Sequence, residues 1–229
     1  MPPHPALPGV RTVAGGAIAA RSAEAPPVTL DLTPVYNLGL NEVSRPTLHS
    51  PADFAWLPQG VQRLLGIDYD IRGAIQLRNE EGFYEQPMTT APRAVHVPVA
   101  KQRAAAVDAL MISALTCPAN PHRPFAMVGL EYADGSVADL PVRCDFDLFH
   151  WRQISALGDH AQVAVRGLDA RLVALLWRPA HVYAVHLANP HPEKAVQGVK
   201  LIAGLGSGGG PMFLAVTLEP APEAAASGR

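Results

Sequence analysis

The stretch between residues 66 and 77 alternates between apolar and polar side chains. Its polar positions include Asp68, Asp70, Arg72 and Gln76, and carboxylates, guanidinium groups and amides can hydrogen-bond to several hydroxyls of one ligand. In a β-strand, period-two alternation puts these side chains on one face, which we expect to be turned outward. Two interpretations follow. The face is either a solvated row of neighbouring charges, or a surface that binds a polyhydroxylated ligand.

Other residues of suitable type lie in segments that read as loops or strand ends. Trp151 follows Phe149-His150 in a loop-like segment, where an exposed indole ring stacks on the C–H face of a sugar. Asn37 and Asn189 supply amide groups, although an Asn before a proline also caps turns, as the order Asn189-Pro190 suggests. Aromatic residues make up only 6% of the chain, which is lean for a glycan-binding protein.

Catalytic chemistry finds no support among the carboxylates. Glycoside hydrolysis needs two of them about 5–9.5 Å apart across a cleft. Glu80, Glu81 and Glu85 fall in one predicted surface loop, where solvation explains them. We therefore expect no catalytic residue and no enzyme activity.

The sequence gives equally weak evidence for a metal site or a cofactor site. His181 and His186 are five positions apart on one predicted strand, so they point to opposite faces and cannot share an ion. Asp145 and Asp147 are candidate calcium ligands, but calcium takes about 6–8 oxygens. The segment 204–209 fits the dinucleotide pattern G-x-G-x-x-G, yet a strand rather than a helix follows it. We expect a hairpin loop there and no cofactor.

Short apolar runs separated by turn residues predict about ten strands. Convincing amphipathic helices are missing, although residues 98–106 and 147–157 leave room for a turn or two. The 23 prolines and 19 glycines suit a fold with many turns. These features predict an all-β protein, an antiparallel β-sandwich of the jelly-roll kind. The predicted strands cover 28–32, 66–77, 95–99, 107–117, 125–132, 137–143, 162–166, 172–177, 181–187, 196–202 and 211–218.

The strongest local pattern predicts a three-stranded meander. The runs 107–117, 125–132 and 137–143 follow one another, and Asp134-Gly135 favours a tight hairpin between the last two. In this arrangement Cys117 and Cys144 end strands that are two apart in the sheet. Such strands are about 9–10 Å apart, too far for a disulfide. We expect two buried free thiols.

Composition limits the partners and the location. The net charge of −2 makes nucleic acid an unexpected partner, and no apolar run reaches the ~18 residues of a membrane span. Residues 1–27 are predicted to be a disordered tail or a degenerate signal segment, 28–219 the β-sandwich domain and 220–229 a second disordered tail. A cytoplasmic and an exported location both remain open, as does the oligomeric state.

Several motifs resemble those of one bacterial domain family, in the same order over residues 28–219. They are Leu30-Asp31-Leu32 with Tyr36-Asn37, Trp56-Leu57-Pro58-Gln59-Gly60, the stretch 66–77, Tyr132-Ala133-Asp134-Gly135-Ser136, Asp147 with Trp151, Asn189-Pro190-His191-Pro192 and the closing strand 211–217. The family is the galactose-binding-like, carbohydrate-binding-type jelly roll attached to FecR-like regulators and to exported sugar-active proteins. One departure concerns the aromatic residue that precedes Asn-Pro in that family, where this chain has His186-Leu187-Ala188.

The resemblance implies a non-catalytic module that binds a carbohydrate or glycan. On that interpretation, Arg72, Gln76, Asn189, Asn37 and Asp70 would bind ligand hydroxyls and Trp151 would stack on a sugar ring. The alternative is a protein–protein interaction module of a regulatory or exported assembly, with no sugar ligand.

Overall fold

A computed structural model describes residues 11–13, 16–40, 54, 56–78, 91–113, 124–143, 147, 161–167, 180–204 and 210–222. Its regular structure in these ranges is entirely β. The strands are β1 Arg11–Val13, β2 Gly16–Ile18, β3 Gly60–Leu64, β4 Ile67–Ile71, β5 Ile75–Gln76, β6 Ala94–Ser113, β7 Ala126–Tyr132, β8 Val137–Val142, β9 Ala161–Gly167, β10 Ala180–Ala188, β11 Ala195–Ala203 and β12 Pro211–Pro220. No helix of membrane-spanning length and hydropathy occurs in these ranges.

Eight of these strands form one antiparallel sheet that β6 divides into two halves. Residues 94–103 of β6 pair with β11, which pairs with β7, and β7 pairs with β8; these four form the front sheet. Residues 104–113 of β6 lie between β12 and β10, which continue to β5 and β9; these five form the back sheet. The two sheets bury one core between them, so the predicted antiparallel β-sandwich is confirmed.

Core-facing residues alternate with outward-facing residues along each strand, as the period-two geometry of a strand requires. The front sheet contributes Val97, Val128, Leu130, Leu140, Val199 and Leu201, and the back sheet contributes Val107, Met111, Tyr183, Val185, Phe213 and Val216. The predicted strand segments 162–166, 181–187, 196–202 and 211–218 are confirmed with shifts of a residue or two at their ends. The segment 172–177 lies outside the described residues, as do Cys117 and Cys144 with their predicted free thiols.

β6 is longer than the sequence indicated. The segments 95–99 and 107–113 belong to one strand of 20 residues, so the helical turn considered for 98–106 is absent. Pro98 lies opposite Gly198, where the register with β11 shifts. Because a proline has no backbone N–H to donate, such an irregularity accommodates it inside a long strand.

The predicted meander is only half correct. β7 and β8 form the expected hairpin, and Gly135 has the positive φ of 84° that its turn requires. However, β11 lies between β6 and β7, and the 107–113 segment belongs to the other sheet. Similarly, β11 and β12 do not pair with each other, so they do not form the hairpin predicted across segment 204–209, of which residues 205–209 lie outside the described part of the chain.

A second apolar layer covers the outer face of the back sheet. The β3–β4 hairpin supplies Tyr69 and Ile71, which pack against Leu110 and Leu214 of that sheet. Farther along, Ile75 returns to the core between the two sheets. The stretch 66–77 is therefore two strands rather than one, with Tyr69 and Ile71 buried in the outer layer and Ile75 and Leu77 buried between the sheets.

The change of layer occurs at a glycine. A Cβ atom on Gly73 would lie 2.6 Å from Cδ1 of Ile18 and 2.8 Å from Cγ of Tyr36. The bulky side chain of Tyr36 therefore crosses the backbone closely at Gly73, and it comes from the segment before the hairpin.

Packed structure also begins earlier than the predicted boundary at residue 28. β1 and β2 form a small hairpin, and Ile18 is fully buried in the core. These residues belong to the segment 1–27, for which the sequence predicted a disordered tail or a degenerate signal segment. The predicted strand 28–32 is reduced to an isolated bridge between Thr29 and Thr217. Residues 223–229 of the predicted second tail lie outside the described part of the chain.

Candidate functional site

Two of the predicted ligand-binding side chains are buried, so their expected outward orientation is wrong. Asp70 is 2% exposed and Arg72 is 4% exposed. The Arg72 Nε atom donates to both Asp70 carboxylate oxygens at 3.0 Å. The N-terminal segment, whose packing the sequence did not reveal, brings Arg21 to 3.4 Å from Asp70.

The remaining N–H groups of Arg72 donate hydrogen bonds to that same segment. Its Nη1 atom donates to the Ala19 carbonyl at 2.9 Å and to Thr33 Oγ1 at 2.6 Å, and its Nη2 donates to Asp31 at 2.8 Å. Burial alone would raise the pKa of Asp31, but hydrogen bonds from Thr33 and Arg72 bring that pKa below its usual value. Arg72 therefore acts as a clamp between the hairpin and residues 19–33. A ligand that replaced these bonds would leave buried charged groups unpaired, at a large cost in free energy.

Asn37 and Gln76 lie together, and the Asn37 side chain pairs with the Gln76 backbone. The Asn37 side chain donates to the Gln76 carbonyl at 2.8 Å and accepts from the Gln76 N–H at 2.8 Å. This amide takes the place of a neighbouring strand at the end of β5. The Asn37 side chain is thus committed to the fold.

Asn189 holds the turn after β10, as the turn-cap interpretation predicted. Its Oδ1 accepts from the Tyr132 hydroxyl at 2.6 Å and from the His191 N–H at 2.9 Å. Its Nδ2 donates to the Ala104 carbonyl at 2.7 Å. Only 5% of the residue is exposed, so this amide is structural.

The other predicted residues do not complete a site. Trp151 and Asp145 lie outside the described residues. Asp147 is 4% exposed, and it accepts from the Arg143 N–H at 2.6 Å and from Arg143 Nε at 3.4 Å. The predicted ligand set is therefore spread over the clamp, the end of β5 and the turn after β10.

A polar surface that the sequence did not reveal lies on the outer face of the front sheet. Its central row crosses four adjacent strands and consists of His96 on β6, Lys200 on β11, Gly129 on β7 and Asp139 on β8. The next row contains Gly198 on β11 and Glu131 on β7. We call these six residues the open sheet face, because the described residues form no apolar layer over it comparable to the one over the back sheet.

Glu131 connects the charged groups of this face. It accepts from Lys200 Nζ at 2.7 Å and lies 3.0 Å from Nε2 of His96. The hydrogen bond from Lys200, followed by that from His96, keeps the pKa of Glu131 below its ordinary value. The His96 and Lys200 side chains are 47% and 46% exposed, so a ligand can reach them.

Side chains of the face lie directly over its two glycines, where a larger residue would not fit. A Cβ on Gly198 would lie 2.6 Å from His96 Nε2 and 2.9 Å from Glu131 Oε2. On Gly129 it would lie 3.3 Å from an Asp139 oxygen. Both glycines are buried, so a ligand would meet the side chains of the face rather than the backbone at these points.

Alternation in β7 and β11 was visible in the sequence, but it could not reveal this face. Residues 127–132 and 196–202 each alternate, yet only the pairing of β11 between β6 and β7 puts His96 beside Lys200 and Glu131. That pairing joins segments about a hundred residues apart, so no local pattern encodes it.

Apart from the open sheet face, one group of side chains in the described ranges has the residue types of a metal site. Asp108, His186 and Glu219 each offer a ligand atom, and these atoms lie within 4.8 Å of one another. They stand on β6, β10 and β12, at the outer face of the back sheet. Asp108 is the only charged residue between 104 and 115, and a lone charge in an apolar strand was the available signal.

No protein-family model and no curated protein sequence matches the chain. The resemblance to galactose-binding-like domains therefore stays a prediction, and the geometry of the two polar surfaces carries the functional inference.

Proposed function

We propose that this domain is a non-catalytic module that binds a glycan on its open sheet face. The observation that supports the proposal is the set of four polar side chains, His96, Lys200, Glu131 and Asp139, on neighbouring strands around two glycines.

The face offers both kinds of hydrogen-bonding group. Lys200 donates, Glu131 and Asp139 accept, and the imidazole of His96 does either according to its protonation. A sugar hydroxyl both donates and accepts, so it can insert between a donor and an acceptor of this set. Strands are about 4.8 Å apart, so the row of four spans about 14 Å. That length suits several sugar units rather than a single small ion.

A ligand can reach the face at little cost in desolvation free energy. Lys200 and His96 already contact water over nearly half of their side chains, and Asp139 is exposed. Ligand hydroxyls would replace water without uncovering a buried charge. The clamp around Arg72 supports this assignment indirectly. Asp70 and Arg72 are used to hold the fold together, so they are not available to bind a ligand.

Exposed apolar surface favours the glycan over a protein partner. In the described part of the chain, the exposed large hydrophobic residues are Val61, Leu65 and Val137. Val61 and Leu65 belong to the β3–β4 hairpin, whereas Val137 is on β8 of the other sheet. Protein interfaces of the hydrophobic kind need a contiguous patch, and these three residues do not form one.

The test is a glycan array probed with the full chain and with two variants of the face. Each of Lys200→Ala and Glu131→Gln removes one hydrogen bond of a charged group, which contributes about 1.5–3 kcal/mol. We expect each variant to bind the recognised glycan about tenfold more weakly or worse. Arg63→Ala is the matched control, since Arg63 forms an exposed ion pair with Asp68 on the β3–β4 hairpin.

Binding equal to that of the unmodified protein in both face variants would refute the assignment. An empty array together with a protein partner bound through the same residues would favour the interaction module instead.

A further inference from the structure

Asp108 is a buried carboxylate in the centre of the back sheet. The residue is 4% exposed, and its cross-strand neighbours are His186 on β10 and Thr217 on β12. Glu219 lies two residues beyond Thr217 on the same face of β12. Three ligand-type side chains on three adjacent strands therefore converge on one point at the margin of the β3–β4 hairpin.

The hydrogen bonding of this group is incomplete. Nδ1 of His186 lies 2.9 Å from Oδ1 of Asp108, but Oδ2 of Asp108 is buried and has no hydrogen-bond partner among the described residues. The hydroxyl of Tyr69, a fully buried residue of the hairpin, likewise lacks one. An unpaired buried carboxylate oxygen is costly in a protein interior.

The charges of the cluster are also unbalanced. Burial raises the pKa of Asp108, the hydrogen bond and charge of His186 lower it, and the charge of Glu219 raises it. Two carboxylates thus share one partly exposed imidazole. A bound cation would offset their mutual repulsion and supply the missing partner of Asp108.

We propose that Asp108, His186 and Glu219 bind one divalent transition-metal ion, with zinc as the ion that their chemistry fits best. An imidazole nitrogen and carboxylate oxygens are common zinc ligands at about 2.0–2.2 Å. Two such ligands at the tetrahedral angle of zinc are about 3.4 Å apart, so Nδ1 and Oδ1 would separate by about 0.5 Å when the ion replaces their hydrogen bond. The half-exposed His186 and Glu219 side chains can adjust around the buried Asp108.

The hard cations fit less well. Calcium takes about 6–8 oxygens, and magnesium keeps several waters in a strict octahedron of oxygens. This cluster offers three protein groups, one of them a nitrogen. An imidazole ligand shifts the preference toward zinc and its neighbours in the first transition row.

A bound ion would brace the back sheet. Asp108, His186 and Glu219 connect β6 with both of its neighbours, β10 and β12, beside the point where β6 passes from one sheet to the other. A ligand that binds only the folded state stabilises it, so zinc should raise the melting temperature of the domain.

The test is calorimetric titration of the full chain with zinc chloride after chelator treatment, together with thermal unfolding followed by circular dichroism. We expect one saturable equivalent and a higher melting temperature. His186→Ala and Glu219→Gln should each weaken binding at least tenfold and remove the thermal shift. His191→Ala is the matched control, since His191 is another exposed histidine, beside Glu193, and its removal should leave both signals unchanged.

His186 is 58% exposed on its side chain, so its variant is expected to fold, and the circular dichroism spectrum checks this. Three results would overturn the proposal. They are no saturable zinc binding, zinc binding by His186→Ala equal to that of the unmodified protein, and calcium or magnesium binding as tight as zinc at these residues.

Discussion

The guanidinium of Arg72 and the carboxylate of Asp70 lie 3.0 Å apart, with 3% and 2% of their side-chain surfaces exposed. The two residues are separated by one position, so the alternation that predicted a shared face was correct. What covers this face is the segment 19–33, which supplies three further acceptors to Arg72. A polar row on a strand therefore indicated an internal clamp and not a ligand surface.

Replacement of Arg72 by Ala should destabilise the domain strongly. Removal of one partner leaves Asp70 charged and buried, with Arg21 as its remaining cation, and such a break costs about 3–5 kcal/mol. Urea unfolding followed by circular dichroism measures the free energy. Arg63→Ala is the control, because an exposed ion pair contributes at most about 1 kcal/mol. Equal effects of the two substitutions would contradict the clamp.

Gly73→Ala should also destabilise the fold. The added methyl would collide with the Ile18 and Tyr36 side chains at 2.6 and 2.8 Å, and overpacking of this kind costs about 1–3 kcal/mol. In contrast, Gly66→Asn should change the free energy of unfolding little, since Gly66 has open space and a positive φ of 86° that Asn tolerates. A neutral Gly73→Ala would mean that the segment bearing Ile18 does not pack there.

Asn189→Ala should cost more than Tyr132→Phe. The first change leaves the buried Tyr132 hydroxyl and the Ala104 carbonyl without their partner, at about 1–3 kcal/mol for each group. The second removes a single hydrogen bond and leaves the Asn189 oxygen bonded to the His191 N–H. Denaturant unfolding of both variants gives the comparison. The reverse order would argue against the turn-holding role of Asn189.

The ionisation of Asp108 should make the free energy of unfolding depend on pH in a definite direction. Burial raises the pKa of this carboxyl, and the facing groups are His186 from β10, Glu219 from β12 and Tyr69 from β4. Between the ordinary aspartate value and the raised one, the folded protein binds more protons than the unfolded chain. Stability therefore falls as pH rises through this window.

Asp108→Asn removes that loss, because the amide does not ionise. With chelator present, the variant should gain stability over the unmodified protein as the pH rises from the ordinary aspartate pKa through the raised one. Unfolding free energies at several pH values measure the difference. A difference that stays constant or shrinks over this range would contradict the burial of an ionisable carboxyl.

Local patterns predicted the parts of this fold that neighbouring residues decide. The β7–β8 hairpin follows from Asp134-Gly135, and the buried positions of Tyr69 and Ile71 follow from alternation. Pairings between distant segments were not predictable in this way. β11 separates β6 from β7, and the 107–113 segment, Asp108 apart, is apolar on both faces because one faces the core and the other faces the hairpin layer.

The same limit applies to the functional surfaces. His96, Lys200 and Glu131 are unremarkable in their own strands, and they form a face only through the register of β11 with β6 and β7. Arg72 and Asn189 were predicted as ligand contacts because long polar side chains suit both ligands and buried networks. Their actual partners, the Ala19 and Ala104 carbonyls, are backbone atoms that no side-chain pattern reveals.

The binding role of the open sheet face is the central claim, and nitrogen-15 chemical-shift mapping tests it most directly. The labelled chain is titrated with the glycan that the array identifies. We predict that the backbone amides of Gly129, Gly198 and Lys200 shift and saturate together, while those of Arg63 and Asp68 on the hairpin stay fixed. Saturating shifts on the hairpin or elsewhere, with unmoved Gly129 and Gly198 amides, would contradict the account.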